Sequence, residues 1–344
     1  MSGRSSSNAR KAENGEGLRL KFSDNGLLIP LYGSHNEHLA RIEQKLDVTI
    51  QTRGNAVTIS GTSDSVAAAG EALGGLYARL ERGQTVTRDE VDAVLRMVTA
   101  ADSRVDDADV AVRTRKRHIS ARSPRQAAYL RTIDENEMVF GVGPAGTGKT
   151  YLAVAKAVER LIQGDVDRII LTRPAVEAGE QLGFLPGDMQ EKVDPYLRPL
   201  YDALHDMMPR DQVAKRMESG EIEVAPLAFM RGRTLAHAFV ILDEAQNTTA
   251  VQMKMFLTRL GENARMVVTG DLSQVDLPRG VRSGLRDALE IVSGLDGIAS
   301  VTFTEEDVVR HPLVSKIVRA YDRVESKRQA GARYQSDDPT ADDT

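Results

Sequence analysis

One stretch of eight residues limits the fold of this chain more than any other feature. Residues 143–150 read Gly-Pro-Ala-Gly-Thr-Gly-Lys-Thr and fit the pattern G-x-x-x-x-G-K-[ST]. The apolar run FGV lies just before the motif, and YLAVAKAVERLIQ follows it with the apolar spacing of a helix. A glycine-rich loop between a strand and a helix turns successive N–H groups inward, and the helix N-terminus adds positive potential. The sequence therefore predicts a phosphate-binding loop in an α/β fold.

The pattern also predicts what the loop residues do. Lys149 is expected to reach the β- and γ-phosphates of a nucleotide, and the Thr150 hydroxyl is expected to bind Mg²⁺. Gln126, in SPRQAAYL before the first strand, either reads an adenine edge through its amide or is solvated on a helix. The predicted ATP-binding residues are Gln126, Gly143, Pro144, Ala145, Gly146, Thr147, Gly148, Lys149, Thr150 and Tyr151.

Two further motifs follow apolar runs that read as strands. In AFVILDEAQN, Asp243 is expected to hold Mg²⁺ through water and Glu244 to orient the attacking water, although acids at a strand end can also be merely solvated. In the motif TGDLSQ, the Gln274 amide can both donate and accept, so it is placed to sense the γ-phosphate. The adjacent Asp243 and Glu244 favour hydrolysis over transfer of a phosphate to an acceptor, because the acceptor site that a kinase needs is not recognisable in the sequence.

The order of apolar and helical patterns indicates two folded parts. Residues 123–324 alternate apolar runs with helical patterns, which is typical of a parallel, doubly wound sheet. Residues 18–98 form a smaller block, in which LRLKF reads as a strand and LLIPLYG as an apolar strand closed by Gly33. The block continues with the helix EHLARIEQKL, the hairpin VTIQTRGNAVTISG and two more helices.

The remaining segments are polar. Residues 99–122 read as a linker, acidic and then strongly basic, whose short apolar runs at 110–112 and Ile119 can pair as strands. Residues 1–17 and 325–344 have the composition of disordered ends.

Composition excludes several classes of function. The absence of Cys rules out disulfide frameworks, thiolate zinc sites and cysteine nucleophiles. Aromatic residues make up 4% of the chain and Trp is absent, which disfavours stacking-rich carbohydrate sites. The net charge of −5 means that nucleic-acid binding must rest on local charge. No run approaches the roughly 18 to 20 apolar residues of a membrane span. The polar start also lacks a signal-peptide core, so we expect a cytoplasmic protein with no membrane partner.

The motif set resembles the first RecA-like domain of superfamily 1 helicases. The longer strings at 172–204, 243–261, 276–285 and 307–321 are similar to PhoH-like ATPases, and the resemblance covers about residues 18–324. It implies one RecA-like P-loop NTPase core with a parallel sheet, binding of ATP, and ATP hydrolysis. It also implies a link to RNA metabolism and, as a partner, an endoribonuclease of the YbeY family.

The helicase resemblance raises the question of which arginine completes the ATP site. Helicases supply it from a second RecA-like domain, and the stretch after the third motif is too short for another domain of about 150 residues. We therefore expect a homo-oligomer, with a hexameric ring as the leading model and an arginine donated in trans. Arg310 in DVVRHP is the first candidate, and Arg279 and Arg282 are alternatives. A surface ion pair with the acids just before Arg310 would explain that residue equally well.

The block at 27–80 resembles a KH-type RNA-binding domain, a small α+β fold. Such domains clamp the RNA backbone with a G-x-x-G loop between helices, and here the loop reads Gly33-Ser-His-Asn36, with Asn at the second Gly. A degenerate KH fold that contacts protein is the alternative, and the basic linker can equally be a solvated segment. In the helicase relatives the region of Arg173 touches the nucleic-acid backbone, although this residue can also reach the γ-phosphate side. The candidate RNA contacts are Gly33, His35, Arg41, Arg53, Arg113, Lys116 and Arg173.

Two functions remain open from the sequence. In the first, Mg²⁺-dependent ATP hydrolysis with Lys149, Asp243, Glu244, Gln274 and Arg310 as catalytic residues is coupled to RNA binding or remodelling. In the second, ATP switches an adaptor that organises an endoribonuclease or another partner, with little RNA-dependent turnover.

Overall fold

The N-terminal part is a three-stranded antiparallel sheet covered by helices. The computed structural model describes residues 17–100, 110–174, 189–278 and 280–309, with Val314 and Ile317 beyond them. The first elements are β1 (Leu18–Lys21), α1 (Leu28–Tyr32), α2 (Glu37–Leu46), β2 (Thr49–Arg53), β3 (Ala56–Ser60), α3 (Ser63–Glu81) and α4 (Arg88–Thr99). The strand order β1-β3-β2 leaves β2 at an edge. Leu31, Ile42, Val57 and Leu73 are fully buried in the core of this part. The N-terminal part is thus a small α+β unit with the order β-α-α-β-β-α followed by α4.

The segment LLIPLYG is helical, so the strand expected there is wrong. Residues Asn25–Leu27 form a 3-10 turn that continues directly into α1, and Gly33 ends the helix with a φ of 74°. Pro30 is compatible with this position because the first-turn N–H groups of a helix have no intrahelical partner. A short apolar run does not distinguish a buried strand from a buried helix. Here the segment is a helix that packs on α3.

The larger part is an α/β sandwich built on a parallel sheet. It begins with the hairpin β4 (Ala111–Arg113) and β5 (His118–Ser120), which confirms the pairing expected in the linker. The following elements are α5 (Pro124–Glu135), β6 (Met138–Val142), α6 (Lys149–Gln163), β7 (Arg168–Arg173), α7 (Met189–Met207), α8 (Arg210–Glu218), β8 (Ile222–Pro226), β9 (Ala238–Leu242), α9 (Ala250–Leu257), β10 (Arg265–Gly270), α10 (Gly284–Ile291) and β11 (Ile298–Thr302).

The six strands β6 to β11 run parallel in the order β11-β6-β10-β9-β7-β8. Side chains of β6, β9 and β10 are buried on both faces, against one core shared with α5, α6 and α7 and another shared with α9 and α10. The sheet is therefore doubly wound and RecA-like, as predicted. No described helix is long and apolar enough to cross a bilayer.

The strand order fixes the location of the site. The 143–150 loop follows β6 and Asp243 follows β9, while β10 lies between these two strands and ends in Thr269-Gly270. Because the carboxyl ends of parallel strands share one edge of the sheet, all three motifs meet there.

Candidate functional site

Three glycines of the 143–150 loop have positive φ values, and the first and last of them show why glycine is needed. Gly143 has a φ of 143°, and a Cβ there would lie 2.5 Å from the carbonyl oxygen of Phe303. Gly148 has a φ of 85° and is the N-cap of α6. Both conformations are open to glycine at little cost, so the loop leaves β6 and enters the helix without strain.

Lys149 is held over the loop. Its ammonium donates to the carbonyl oxygens of Gly143 at 2.7 Å and Pro144 at 2.8 Å, and the residue is 8% exposed. An ammonium donates but does not accept, so phosphate oxygens would compete directly with these carbonyls for Lys149.

A cluster of hydroxyls surrounds the first acid. Thr150 Oγ1 donates to Asp243 Oδ1 at 2.5 Å, and Thr269 Oγ1 donates to the same oxygen at 2.9 Å. Asp243 is 6% exposed and Thr269 is fully buried. Thr269 was not among the predicted site residues, although it lies at the end of an apolar strand and just before Gly-Asp.

The second acid is held on both carboxylate oxygens. Glu244 has a left-handed φ of 53°, which is uncommon outside glycine. Its Oε1 lies 3.3 Å from Arg173 Nη2, and its Oε2 accepts from Gln246 Nε2 at 2.5 Å. The Gln246 amide also accepts from Asp271 N at 3.0 Å and donates to the Gln274 carbonyl at 3.2 Å. Gln246 therefore connects the DEAQ motif to the TGDLSQ motif, a role that sequence reasoning missed.

A cleft of about 220 Å³ lies between these motifs. It is lined by the loop, by Tyr151, by both acids and by Gln274, together with Gly270 and Asp271. Asp271 Oδ2 accepts from the Ala145 N–H at 3.0 Å, which attaches the third motif to the phosphate loop. The structure thus brings together three motifs that are far apart in the sequence.

Gln126 is buried beside the loop. It is 3% exposed, its Nε2 donates to the Thr147 carbonyl at 2.9 Å, and its Oε1 accepts from Arg122 N at 2.7 Å. The solvated alternative is therefore wrong, and the adenine contact stays a prediction. In this structure Gln126 supports the phosphate loop.

Tyr151 faces α7 from the cleft wall. Its hydroxyl donates to Asp206 Oδ2 at 2.7 Å. Burial, together with this hydrogen bond, raises the pKa of Tyr151 to about 12. The side chain is therefore a neutral donor that fixes α7 beside the loop.

The comparisons with known proteins agree with this geometry. The family model described as "PhoH-like protein" matches residues 118–322, which contain every element of the parallel sheet. The chain belongs to the PhoH-like family. A PhoH-like protein of Bacillus subtilis (strain 168) is 50% identical over 309 residues, covering 89% of this chain and 96% of that protein. One of Mycobacterium tuberculosis (strain H37Rv) is 51% identical over 319 residues, covering 89% and 91%.

Other similarities are partial or weak. Protein PhoH of Escherichia coli (strain K12) is 53% identical over 205 residues, covering 59% of this chain and 58% of that protein. The Sulfolobus solfataricus SWI2/SNF2 ATPase core in complex with dsDNA has a TM-score of 0.33 at 14% identity, covering 52% of this chain and 43% of that chain. A score this low adds nothing to the strand order, on which the fold assignment rests.

The KH-like part of this PhoH-like chain keeps some of its candidate RNA contacts at the surface. Gly33, His35 and Asn36 all have positive φ values, so the loop between α1 and α2 turns sharply, and His35 is exposed. Arg53 is exposed on the edge strand β2. Arg41 is half-buried, and its guanidinium binds both carboxylate oxygens of Asp92 on α4, at 2.7 and 2.9 Å, so an RNA contact would have to compete with this pair.

The basic hairpin β4–β5 packs against the protein. Lys116 Nζ donates to the His205 carbonyl at 2.9 Å, and Arg117 pairs with Asp206 at 2.8 Å. Lys116 thus anchors the end of α7 although it is exposed, and its role as an RNA contact stays a prediction. Arg113 remains exposed at the end of β4.

The remaining predicted residues divide into two groups. Arg173 lies beside Glu244 with its side chain 23% exposed, and its contact with nucleic acid stays a prediction. Arg310, Arg279 and the acidic half of the linker lie outside the described residues, as do the ends 1–16 and 325–344.

Proposed function

We propose that this PhoH-like chain binds ATP at the 143–150 loop and hydrolyses it with Mg²⁺. The observation that carries the proposal is the 2.5 Å hydrogen bond from Thr150 to Asp243 inside a cleft lined by Glu244. A loop hydroxyl and a strand-end carboxylate are the two protein positions at which P-loop enzymes hold Mg²⁺.

The donor atoms at this corner fit Mg²⁺. Thr150 and Asp243 offer hard oxygen atoms, which this ion prefers. Within the described ranges, no group of three His, Cys, Asp or Glu side chains could hold a metal without help. This agrees with an ion that takes further oxygens from water and from substrate phosphates. When bound, Mg²⁺ would be held by Thr150 and Asp243 and would offset the negative charge that develops in the transition state.

The chain's own groups would bind and orient the reactants. The loop N–H groups and the Lys149 ammonium donate to phosphate oxygens. Glu244 orients the attacking water and accepts its proton, and Gln274 senses the γ-phosphate. The Asp271 carboxylate accepts from the Ala145 N–H, which joins the segment of Gln274 to the loop. A nucleotide that contacts the loop would therefore also affect the position of Gln274.

Steady-state hydrolysis with Mg²⁺ tests this proposal, with Lys149→Ala as the blank. We expect wild-type turnover, no tight nucleotide binding by Lys149→Ala, and binding without turnover by Glu244→Gln. Normal nucleotide affinity of Lys149→Ala would contradict the phosphate-loop assignment. Unaltered turnover of Glu244→Gln would remove that residue as the base.

We also propose that turnover is coupled to single-stranded RNA through the KH-like part. The sharply turned loop at Gly33 and the exposed Arg53 on an edge strand support this. At low salt, RNA should raise the hydrolysis rate, and Arg53→Ala should weaken the effect. Arg19→Ala is the matched control, since Arg19 is exposed on β1 at the opposite edge of the same sheet.

A rate indifferent to RNA would instead favour an ATP-switched adaptor for an endoribonuclease of the YbeY family or a similar partner. The contacts of Lys116 and Arg117 with α7 are the observation in favour of this second function, because they engage two cations of the hairpin within the protein.

Self-association is part of the proposal. The described lining of the cleft contains no arginine, and a neighbouring copy in a hexameric ring would supply one. Arg282, just before α10, is paired with Asp287 and Glu290 of that helix, and Arg310 stays the first donor to test. Mixing Arg310→Ala subunits with Glu244→Gln subunits should restore some activity, and no recovery would count against a trans arginine.

A further inference from the structure

Arg173 lies where it can act on the hydrolytic carboxylate. It is the last residue of β7, which runs beside β9, and the Asp243 N–H donates to the Thr172 carbonyl at 2.9 Å. The two strands therefore present Arg173 and Glu244 next to each other at the same edge of the sheet. We propose that Arg173 is the positioning residue for Glu244, an inference that rests on the proposed ATP hydrolysis.

Both terminal nitrogens of the Arg173 guanidinium have a partner. Its Nη2 lies 3.3 Å from Glu244 Oε1, and its Nη1 donates to the Tyr196 carbonyl of α7 at 3.0 Å. The Arg173 side chain is 23% exposed, and the Glu244 side chain is 34% exposed. A planar guanidinium with two anchored donors holds a carboxylate in one orientation better than a flexible ammonium does. Arg173 thus transmits the position of α7 to Glu244.

Arg173 stands behind Glu244 rather than in the cleft. Glu244 lines the cleft, whereas the described lining does not include Arg173. This arrangement favours contact with the carboxylate over contact with a γ-phosphate.

The Glu244 carboxylate can still accept hydrogen bonds from water while Arg173 and Gln246 hold it. Oε1 is paired with Arg173 and Oε2 with Gln246, and an ionised carboxylate has about four lone-pair sites. Each oxygen can therefore accept one further donor, which is what a water-orienting base requires. The left-handed φ of 53° at Glu244 is strained for a side-chain-bearing residue, so the position needs such outside support.

The test compares Arg173→Ala and Arg173→Lys with Arg168→Ala. Arg168 is the matched control, because it begins the same strand and donates to the Ala236 carbonyl at 3.3 Å, away from the cleft. Measurements are kcat and KM for ATP, the dissociation constants of ATP and ADP, and the thermal midpoint of each variant. A base displaced by about 1 Å can cost about 100-fold in rate.

We expect kcat of Arg173→Ala to fall about 10- to 100-fold, with ATP and ADP affinities within about twofold of wild type. Arg173→Lys should recover part of the loss, and Arg168→Ala should retain normal kcat. In a Glu244→Gln background, Arg173→Ala should cause no further loss, because the group that it positions is already gone.

Several results would overturn the inference. Unchanged or raised kcat in Arg173→Ala and Arg173→Lys would show that Glu244 does not depend on the arginine. A selective loss of ATP over ADP affinity would assign Arg173 to the γ-phosphate, and loss of RNA stimulation alone would assign it to nucleic acid. If Arg173→Ala does not fold, Arg173→Lys decides by the same kcat criterion. Failure of the proposed function looks different, because the wild type would then be inactive or Glu244→Gln fully active.

Discussion

Replacing Tyr129 by Phe should stabilise the chain, although it deletes a polar group from the centre of the larger core. Tyr129 is fully buried on α5, and its ring meets Phe303 edge-on with centroids 5.3 Å apart. The hydroxyl sits against Gly141, where a Cβ would lie 2.8 Å away, and it makes no hydrogen bond within the described part of the chain. Burial raises the pKa of Tyr129, so the hydroxyl stays protonated.

The expected gain follows from the cost of that isolated hydroxyl. Burying a hydroxyl without a partner costs about 1 to 3 kcal/mol in protein mutational data. Phe keeps the ring and its packing, and loses only the dispersion contacts of one oxygen, a few times about 0.1–0.2 kcal/mol. We therefore expect Tyr129→Phe to raise the free energy of unfolding by about 1 kcal/mol. The thermal midpoint should rise by about 2 to 4 °C for a domain of this size.

Urea unfolding followed by far-UV circular dichroism measures the effect. An unchanged slope of the unfolding free energy against urea concentration would show that the substitution leaves the surface exposed on unfolding the same. Tyr151→Phe is the matched control, because the Tyr151 hydroxyl is bonded to Asp206 and its removal should destabilise. A destabilised Tyr129→Phe would refute the reasoning, since it would mean that the hydroxyl is hydrogen-bonded, for example to a buried water.

Three further predictions follow from other contacts. Gly143→Ala should weaken nucleotide binding by at least about tenfold in fluorescence titration, because its Cβ would meet the Phe303 carbonyl; normal affinity would contradict the loop geometry. The difference in the free energy of unfolding between wild type and Tyr151→Phe should shrink as pH rises from 10 to 12. The pKa of Tyr151 is raised in the folded protein, so deprotonation removes the stability that its neutral hydroxyl contributes. A constant difference in pH-dependent melting would exclude this. Arg41→Ala should lower the free energy of unfolding by about 1 kcal/mol and leave RNA affinity unchanged; the reverse result in a gel-shift assay would return Arg41 to the RNA surface.

The local patterns predicted most elements of the fold. Six apolar runs became the six parallel strands, since period and length carry that information. The segment 27–33 was read wrongly because a single apolar turn looks the same as a short strand until its packing partner is known. Gln126 was singled out by its place before the first strand, Arg41 by the KH resemblance and Lys116 by the charge of the linker. The structure pairs each with a neighbour distant in sequence or with the loop itself.

The sequence by itself determined which groups carry the chemistry of the site. The phosphate loop and the two strand-end acids each lie in one continuous segment, and the residue types within that segment determine its backbone conformation. Only the tertiary structure decided which side chains support them. Thr269 meets Asp243 because β10 lies between β6 and β9, and Arg173 meets Glu244 because β7 adjoins β9. Strand order is set by the packing of the whole sheet, and no local spacing records it.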